Sequence, residues 1–249
     1  MCRMTCCPSL TLRSFTAIIT IVDIVVFIIT LTYGIQPNSD FLTPKYETLD
    51  DFGSRIVCKI LKQYQLWRFL TPVFLHGNFL HIVFNIMSQL IIGSQVENMM
   101  GIPRFILVYF LSGIGGNVLG VLISDSSAVG ASTAIVGLLG VFIAYVIVNW
   151  NRLDPSIKCF MLCMISFIIL INLAFGLGGS TDQKESRIDN VGHLGGLLTG
   201  VFAGMFLINP LGGAPGLYEK RAKITGVCMT CFFFILCLAL AFTVKNPKC

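Results

Sequence analysis

Seven apolar stretches, at 15–33, 75–96, 105–123, 128–149, 159–178, 191–208 and 224–244, divide this chain and limit what it can fold into. Each approaches the ~20 residues that an α-helix needs to cross the hydrocarbon core of a bilayer. Inside lipid every backbone N–H and C=O must be bonded within the segment, so a run of this length forms a helix. Composition bears on the same point, with 12% of residues charged and 55% hydrophobic. A soluble domain carries roughly 25% charged residues. A wetted globule, a nucleic-acid-binding module and a disordered tail are therefore excluded. The net charge of +5 is scattered between the apolar blocks and forms no basic patch. The pattern predicts an all-α polytopic membrane protein whose solvent is the lipid bilayer, with no nucleic-acid partner.

The expected organisation is a short cytoplasmic tail over 1–14 and six spans over 15–208, with a long first loop at 34–74. A cytoplasmic linker at 209–223, a seventh span at 224–244 and a tail at 245–249 follow. The first span is too long for a cleaved signal and lacks a small-residue cleavage site, so it reads as a signal anchor. With the N-terminus in the cytoplasm, that side carries Arg3, Arg13, Arg104, Arg152, Lys158, Lys220, Arg221 and Lys223. Leaving out the long loop, the other side carries only Lys184, Arg187, Lys245 and Lys248, which favours N-in, C-out. The loop mixes charges with Trp67, Phe69 and Leu70 and is expected to lie folded at the interface. The ten cysteines suggest no disulfide framework: Cys159, Cys163, Cys228, Cys231 and Cys237 sit in apolar spans as small hydrophobes. Cys6 and Cys7, just before the first span, are open to palmitoylation or are free thiols.

Polar residues inside spans are costly and mark function by default. His81 and Asn85 are four apart and share a helix face. Ser132 lies in Gly130-Ala131-Ser132-Thr133 near the start of the fourth span, and His193 in Gly192-His193-Leu194-Gly195-Gly196 at the start of the sixth. Spans two, four and six run in the same direction, so their N-terminal ends share the leaflet facing away from the cytoplasm. Topology alone brings a serine, two histidines and an asparagine to one depth. Gly192, Gly196, Gly200 and Gly204 form a small-xxx-small ridge on the sixth span, answered by Gly130, Gly137, Gly140 and Ala144 on the fourth. Packed through these faces, the two helices put Ser132 within reach of His193. A serine hydroxyl needs such a base to become a nucleophile. Unbonded N–H groups in the first turn after Ser132 would face a developing oxyanion, as would His81 and Asn85. Peptide hydrolysis is the chemistry that fits.

From about Trp67 to Gly204 the chain resembles the rhomboid intramembrane serine proteases. Leu66-Trp67-Arg68-Phe69 resembles the family's Trp-Arg element, and His81-Ile82-Val83-Phe84-Asn85 its HxxxN motif. Gly130-Ala131-Ser132-Thr133 resembles the GxSx nucleophile motif, and Gly192-His193-Leu194-Gly195-Gly196 the catalytic-histidine motif. Glu97, followed by Gly101, resembles the acidic residue after the second core helix. The resemblance implies a six-helix core plus one C-terminal helix, the 6+1 layout of eukaryotic secretory-pathway members, with short tails like those of apicomplexan parasites. It implies a Ser132–His193 dyad without a third acid, and an oxyanion hole built from the Ser132 N–H, His81 and Asn85. It implies no cofactor and no metal. The partners implied are single-span membrane proteins with locally unstable helices, surface adhesins among them. The protein would then reside in the secretory pathway or plasma membrane, with its site facing the lumen or exterior. Two positions depart from the family pattern: Thr133 stands where many members have glycine, and Val136 where bacterial members place an aromatic residue.

Each residue also has a plainer explanation. A serine in a span usually packs helices, and His81 with Asn85 can bond neighbouring spans. Three histidines without HExxH give no metalloprotease. Asp23 is the one acid deep in a span; a protonated carboxyl bonded to a neighbour such as Asn172 is the favoured reading, an ion path the rival. His76 is expected either to line a water route or to cap the helix, and Asp189 either to orient His193 or to lie in the loop outside. A catalytically dead relative that escorts membrane clients would lack the serine or the histidine, and both are present here.

Overall fold

Ser14 starts the first span as a helix cap, its side chain accepting the Ala17 N–H at 3.2 Å, and α1 runs over Phe15–Thr32. The computed structural model describes residues 13–177, 189–247 and 249. Cys6 and Cys7, with Arg3, Lys184, Arg187 and Lys248 of the charge count, lie outside the described residues, as does the side chain of Asn172. After α1 the first loop folds into α2 (Tyr46–Asp51), α3 (Val57–Gln63) and two 3-10 turns at Leu66–Phe69 and Thr71–Phe74. The second span is composite: α4 (Phe79–Ser88), a π turn at Gln89–Gly93, and α5 (Ser94–Met100). Then come α6 (Ile102–Ile123), α7 (Ser132–Val148), α8 (Pro155–Leu177), α9 (Asn190–Leu207) and α10 (Leu217–Thr243). Five of these segments, α1, Phe79–Met100, α6, α9 and α10, are each long and apolar enough to cross a membrane. The fold is all-α and polytopic.

Several expected boundaries move, three of them for a clear local reason. The second span begins at Phe79 and not at 75, because extended Asn78 caps it by accepting the His81 N–H at 2.8 Å. The fourth begins at Ser132 and not at 128: α6 ends at Ile123, and 124–131 is loop, with Gly130 at φ +130°, a conformation that L side chains rarely adopt. The linker expected at 209–223 is shorter, since α10 starts at Leu217 and carries Lys220, Arg221 and Lys223 in its first turns.

The expected absence of disulfides is also corrected. Cys58 on α3 is bonded to Cys249, with a Cα–Cα distance of 5.7 Å. Neither cysteine lies in a span, and 191 residues separate them, so no local pattern pairs them. Around this bond, Lys245 pairs with Asp125 at 2.9 Å and Tyr64 stacks on Phe242 at 6.3 Å between centroids. The end of α10 is thereby tied both to the first loop and to the loop before α7.

The first loop is anchored from within. Arg68 is buried, its Nη1 donating to Ser54 O at 2.8 Å, its Nε to Gln65 Oε1 at 2.6 Å, and its Nη2 meeting Asp50 at 3.0 Å. Trp67 beside it is exposed, as an interfacial anchor would be. Asn117 on α6 donates to Phe69 O at 3.0 Å, which joins the loop to the bundle.

The centre of the bundle is α6, α7 and α9, packed through glycines. A Cβ on Gly200 would overlap the Gly137 carbonyl, and one on Gly196 the Thr133 carbonyl. One on Gly204 would stand 2.7 Å from Ala144 Cβ, so Gly196, Gly200 and Gly204 of the ridge expected on α9 lie directly against α7. Thr133 fits where a glycine was expected because its side chain meets Gly116 of α6 and Gly192 of α9, neither of which has a Cβ. Buried polar groups close the other helix pairs. Glu97 accepts the N–H groups of Phe15 and Thr16 at 2.9 and 2.8 Å and the Thr16 hydroxyl at 2.6 Å, capping α1. Asp23 accepts Gln89 Nε2 at 3.0 Å, and Gln89 Oε1 accepts the Tyr109 hydroxyl at 2.6 Å.

Candidate active site

Ser132 is the first residue of α7, so its N–H has no carbonyl four residues back to bond. His193 lies in the first turn of α9, whose cap is Asp189: one carboxylate oxygen accepts the Gly192 N–H at 3.1 Å, and the Asp189 carbonyl accepts the His193 N–H at 2.9 Å. A Cβ on Gly192 would overlap that carboxylate, so the cap requires a glycine there. Packed through the glycine seam, the two helix starts set His193 Nε2 2.8 Å from Ser132 Oγ. Both side chains are half-buried, so the pair can be reached from outside the bundle. His193 Nδ1 has no hydrogen-bond partner among the described residues, and Asp189 acts on the backbone of this turn and not on the ring.

His81 comes to the same place from α4. Its Nδ1 accepts the Gly77 N–H at 3.2 Å, which assigns the ring proton to Nε2. The space that a Gly130 side chain would fill is bordered by His81 Nε2 at 2.8 Å and Ser132 Oγ at 3.4 Å. Gly130 therefore must be glycine both for its backbone angle and for this closure. Its N–H donates to Pro72 O at 2.9 Å, which ties the loop before Ser132 to the first loop.

Asn85 sits one turn below His81, buried, with its amide donating to His81 O at 2.7 Å. One of its two N–H bonds is thus used within α4 and one remains. His76 neither caps the helix, a role Asn78 takes, nor touches Ser132; it is fully buried, edge-on to His81 at 5.4 Å between ring centroids. Asp23, Glu97 and Arg68 are bonded to the partners given above. A residue that sequence reasoning passed over is Arg55, fully buried between α2 and α3 and paired with Asp189. Its signal was faint: one arginine beside Gly53 in a loop with no periodicity.

The arrangement offers a hydroxyl with a base on it, and beside it two donors, the Ser132 N–H and His81 Nε2–H. That combination can form and stabilise a tetrahedral oxyanion at a carbonyl carbon.

Comparison with known proteins bears on the same stretch. Residues 63–210 match the family model for the Rhomboid domain. The chain is 37% identical over 214 residues to Rhomboid-like protease 1 of Toxoplasma gondii, covering 85% of this chain and 69% of that protein. It is 33% identical over 246 residues to Rhomboid-like protease 2 of the same organism, covering 98% of this chain and 82% of the relative. Rhomboid protease GluP of Bacillus subtilis is 38% identical over 170 residues, 68% of this chain and 31% of that protein. A domain match over more than half the chain, with relatives aligned along nearly all of it, leaves one assignment: this chain belongs to the rhomboid family of membrane-embedded serine proteases.

Proposed function

We propose that the protein cleaves peptide bonds in or beside the membrane-spanning segment of single-span proteins, using Ser132 and His193 as a catalytic dyad. The observation that carries this reading is the 2.8 Å approach of His193 Nε2 to Ser132 Oγ. His193 takes the hydroxyl proton as Oγ adds to the scissile carbonyl carbon. The carbonyl oxygen becomes an oxyanion, met by the Ser132 N–H, by His81 Nε2–H and by the remaining N–H of Asn85. As the intermediate collapses, the C–N bond breaks and His193 returns its proton to the leaving amine. The ester left on Ser132 is cleared by water, which His193 deprotonates in turn, restoring the free hydroxyl. Half-buried positions for both residues are what such a reaction needs: sheltered from lipid and open to water and substrate.

Secretory-pathway or plasma-membrane placement, N-terminus in the cytoplasm and site outward, is supported by the Cys58–Cys249 bond. Disulfides persist on the oxidising side of such membranes. The bond joins the first loop to the segment after α10, the two regions that N-in, C-out topology puts together outside. Small-residue, locally unstable helices are the expected substrates, and surface adhesins are one class that fits.

The test is co-expression of the full chain with a tagged single-span membrane protein, in wild-type, Ser132→Ala and His193→Ala forms. Cleavage is expected in wild type only, at equal expression. Cleavage that persists in either variant overturns the dyad.

A further inference from the structure

Arg55 connects the two helix starts that meet at the site. Its backbone pairs with Ala128 in both directions, N–H to O at 3.0 Å and O from N–H at 3.2 Å. Ala128 is four residues before Ser132, in the loop that leads into α7. The Arg55 side chain runs the other way and donates through Nη1 to Asp189 Oδ2. Asp189 is four residues before His193 and caps α9. Room for the guanidinium comes from Gly120 on α6, where a Cβ would overlap Nη1 and Cζ. Arg55 is 0% exposed and the Asp189 side chain 14%.

The glycine seam between α7 and α9 brings the backbones close, and the Ser132–His193 contact depends on the axial register of the two helices. A buried ion pair resists sliding because a shift that breaks it strands a charge away from water. We infer that Arg55 is a positioning residue for the reaction: by holding the Ala128 backbone and the Asp189 carboxylate at once, it fixes the starts of α7 and α9 relative to each other. The inference rests on the dyad reading above and adds to it the device that keeps the dyad in register. Positional errors of about 1 Å remote from the chemistry can cost on the order of a hundredfold in rate.

The experiment uses the full chain reconstituted in lipid vesicles with a tagged single-span substrate, measuring kcat and KM, and in parallel the rate of Ser132 labelling by a fluorophosphonate probe. Arg55→Met is expected to lower kcat and labelling by about ten- to a hundredfold with KM within about twofold. Asp189→Asn, which keeps a capping side chain, should do the same. The double variant should be no slower than the slower single variant, because both remove one interaction. Arg55→Lys should regain most of the rate, since only one guanidinium nitrogen reaches Asp189. Lys59→Met, which removes an ion pair of the same loop away from the site, should keep wild-type kcat. If Arg55→Met does not fold, Asp189→Asn and Arg55→Lys carry the comparison. Wild-type kcat in folded Arg55→Met or in Asp189→Asn overturns the inference, as do losses that multiply in the double variant. Ser132→Ala separates the two readings: cleavage surviving there overturns the dyad itself, whereas its loss beside wild-type kcat in the Arg55 and Asp189 variants overturns the positioning role alone.

Discussion

His193 Nε2 stands 2.8 Å from Ser132 Oγ while His193 Nδ1 meets no acceptor among the described residues. Among the described residues the imidazole is thus held by its helix and by the serine, and by no carboxylate behind it. Ser132→Ala and His193→Ala should each remove cleavage to background, a loss of roughly a thousandfold or more. Asp189→Asn should fall far short of the ~10⁴-fold loss seen when a triad acid is neutralised. Cleavage rates of the three variants, measured on one tagged substrate, check the order. A loss at Asp189 as deep as that at His193 would contradict the geometry.

The seam that brings these residues together gives a second expectation. Gly200 on α9 faces the Gly137 carbonyl on α7 without space for a methyl group. Gly200→Val forces the helices apart two turns below the dyad. We expect destabilisation of about 1–3 kcal/mol, as for other overpacked sites, together with loss of fluorophosphonate labelling at Ser132. Thermal unfolding in detergent and labelling rate are the two measurements. Wild-type values in both would mean that the seam does not set the approach.

Much of this was legible in the chain, for reasons particular to membranes. Polar residues are so expensive in a span that Ser132, His81, Asn85 and His193 stand out, and alternating helix direction places them in one leaflet. The glycine spacing on α9 and α7 then predicted which faces meet. What escaped lay outside lipid, where hydropathy says nothing. Arg55 is buried in a loop whose folding has no period, and the Cys58–Cys249 bond joins segments 191 residues apart. The partner of Asp23 was also hidden. Gln89 opens a π turn, and that extra residue per turn re-aims its side chain in a way no 3.6-residue pattern foresees.

The disulfide makes a chemical prediction. With intact protein, maleimide-polyethylene-glycol labelling under denaturing, non-reducing conditions should leave two thiols unreacted that become reactive after reduction. Cys58→Ser and Cys249→Ser should each abolish that difference and lower stability, typically by about 2–4 kcal/mol for such a cross-link. All ten thiols reacting before reduction would remove both the bond and the support it lends to the outward-facing orientation.

Asp23 separates proteolysis from transport. Its carboxylate oxygen accepts Gln89 Nε2, an interaction that an asparagine carbonyl can also accept. Asp23→Asn should therefore keep cleavage within about twofold, because the bond to Gln89 is retained. Gln89→Leu strands both Asp23 and the Tyr109 hydroxyl, and should destabilise by about 1–3 kcal/mol for each buried group left unbonded. Cleavage assays and unfolding in detergent distinguish the two. Abolished cleavage in a stable Asp23→Asn variant would give this acid a role in the reaction.

The proposed oxyanion donors His81 and Asn85 should differ in weight, because the structure ties them differently. His81 Nε2–H borders the open space beside Gly130 together with Ser132 Oγ, and its other nitrogen is fixed by the Gly77 N–H. It is pre-aimed, and removing one such donor costs about 10²–10³ in kcat. Asn85 already uses one N–H on the His81 carbonyl, so its remaining donor is less committed to the site. His81→Ala should lower kcat by that hundredfold or more with little change in KM, and Asn85→Ala by roughly fivefold, the worth of one ordinary hydrogen bond. Gly130→Ala should be as damaging as His81→Ala, since its methyl group would stand 2.8 Å from His81 Nε2 on a backbone at φ +130°. Steady-state kinetics on one substrate rank the three, and a greater loss at Asn85 than at His81 would show that the asparagine holds the oxyanion and the histidine only supports it.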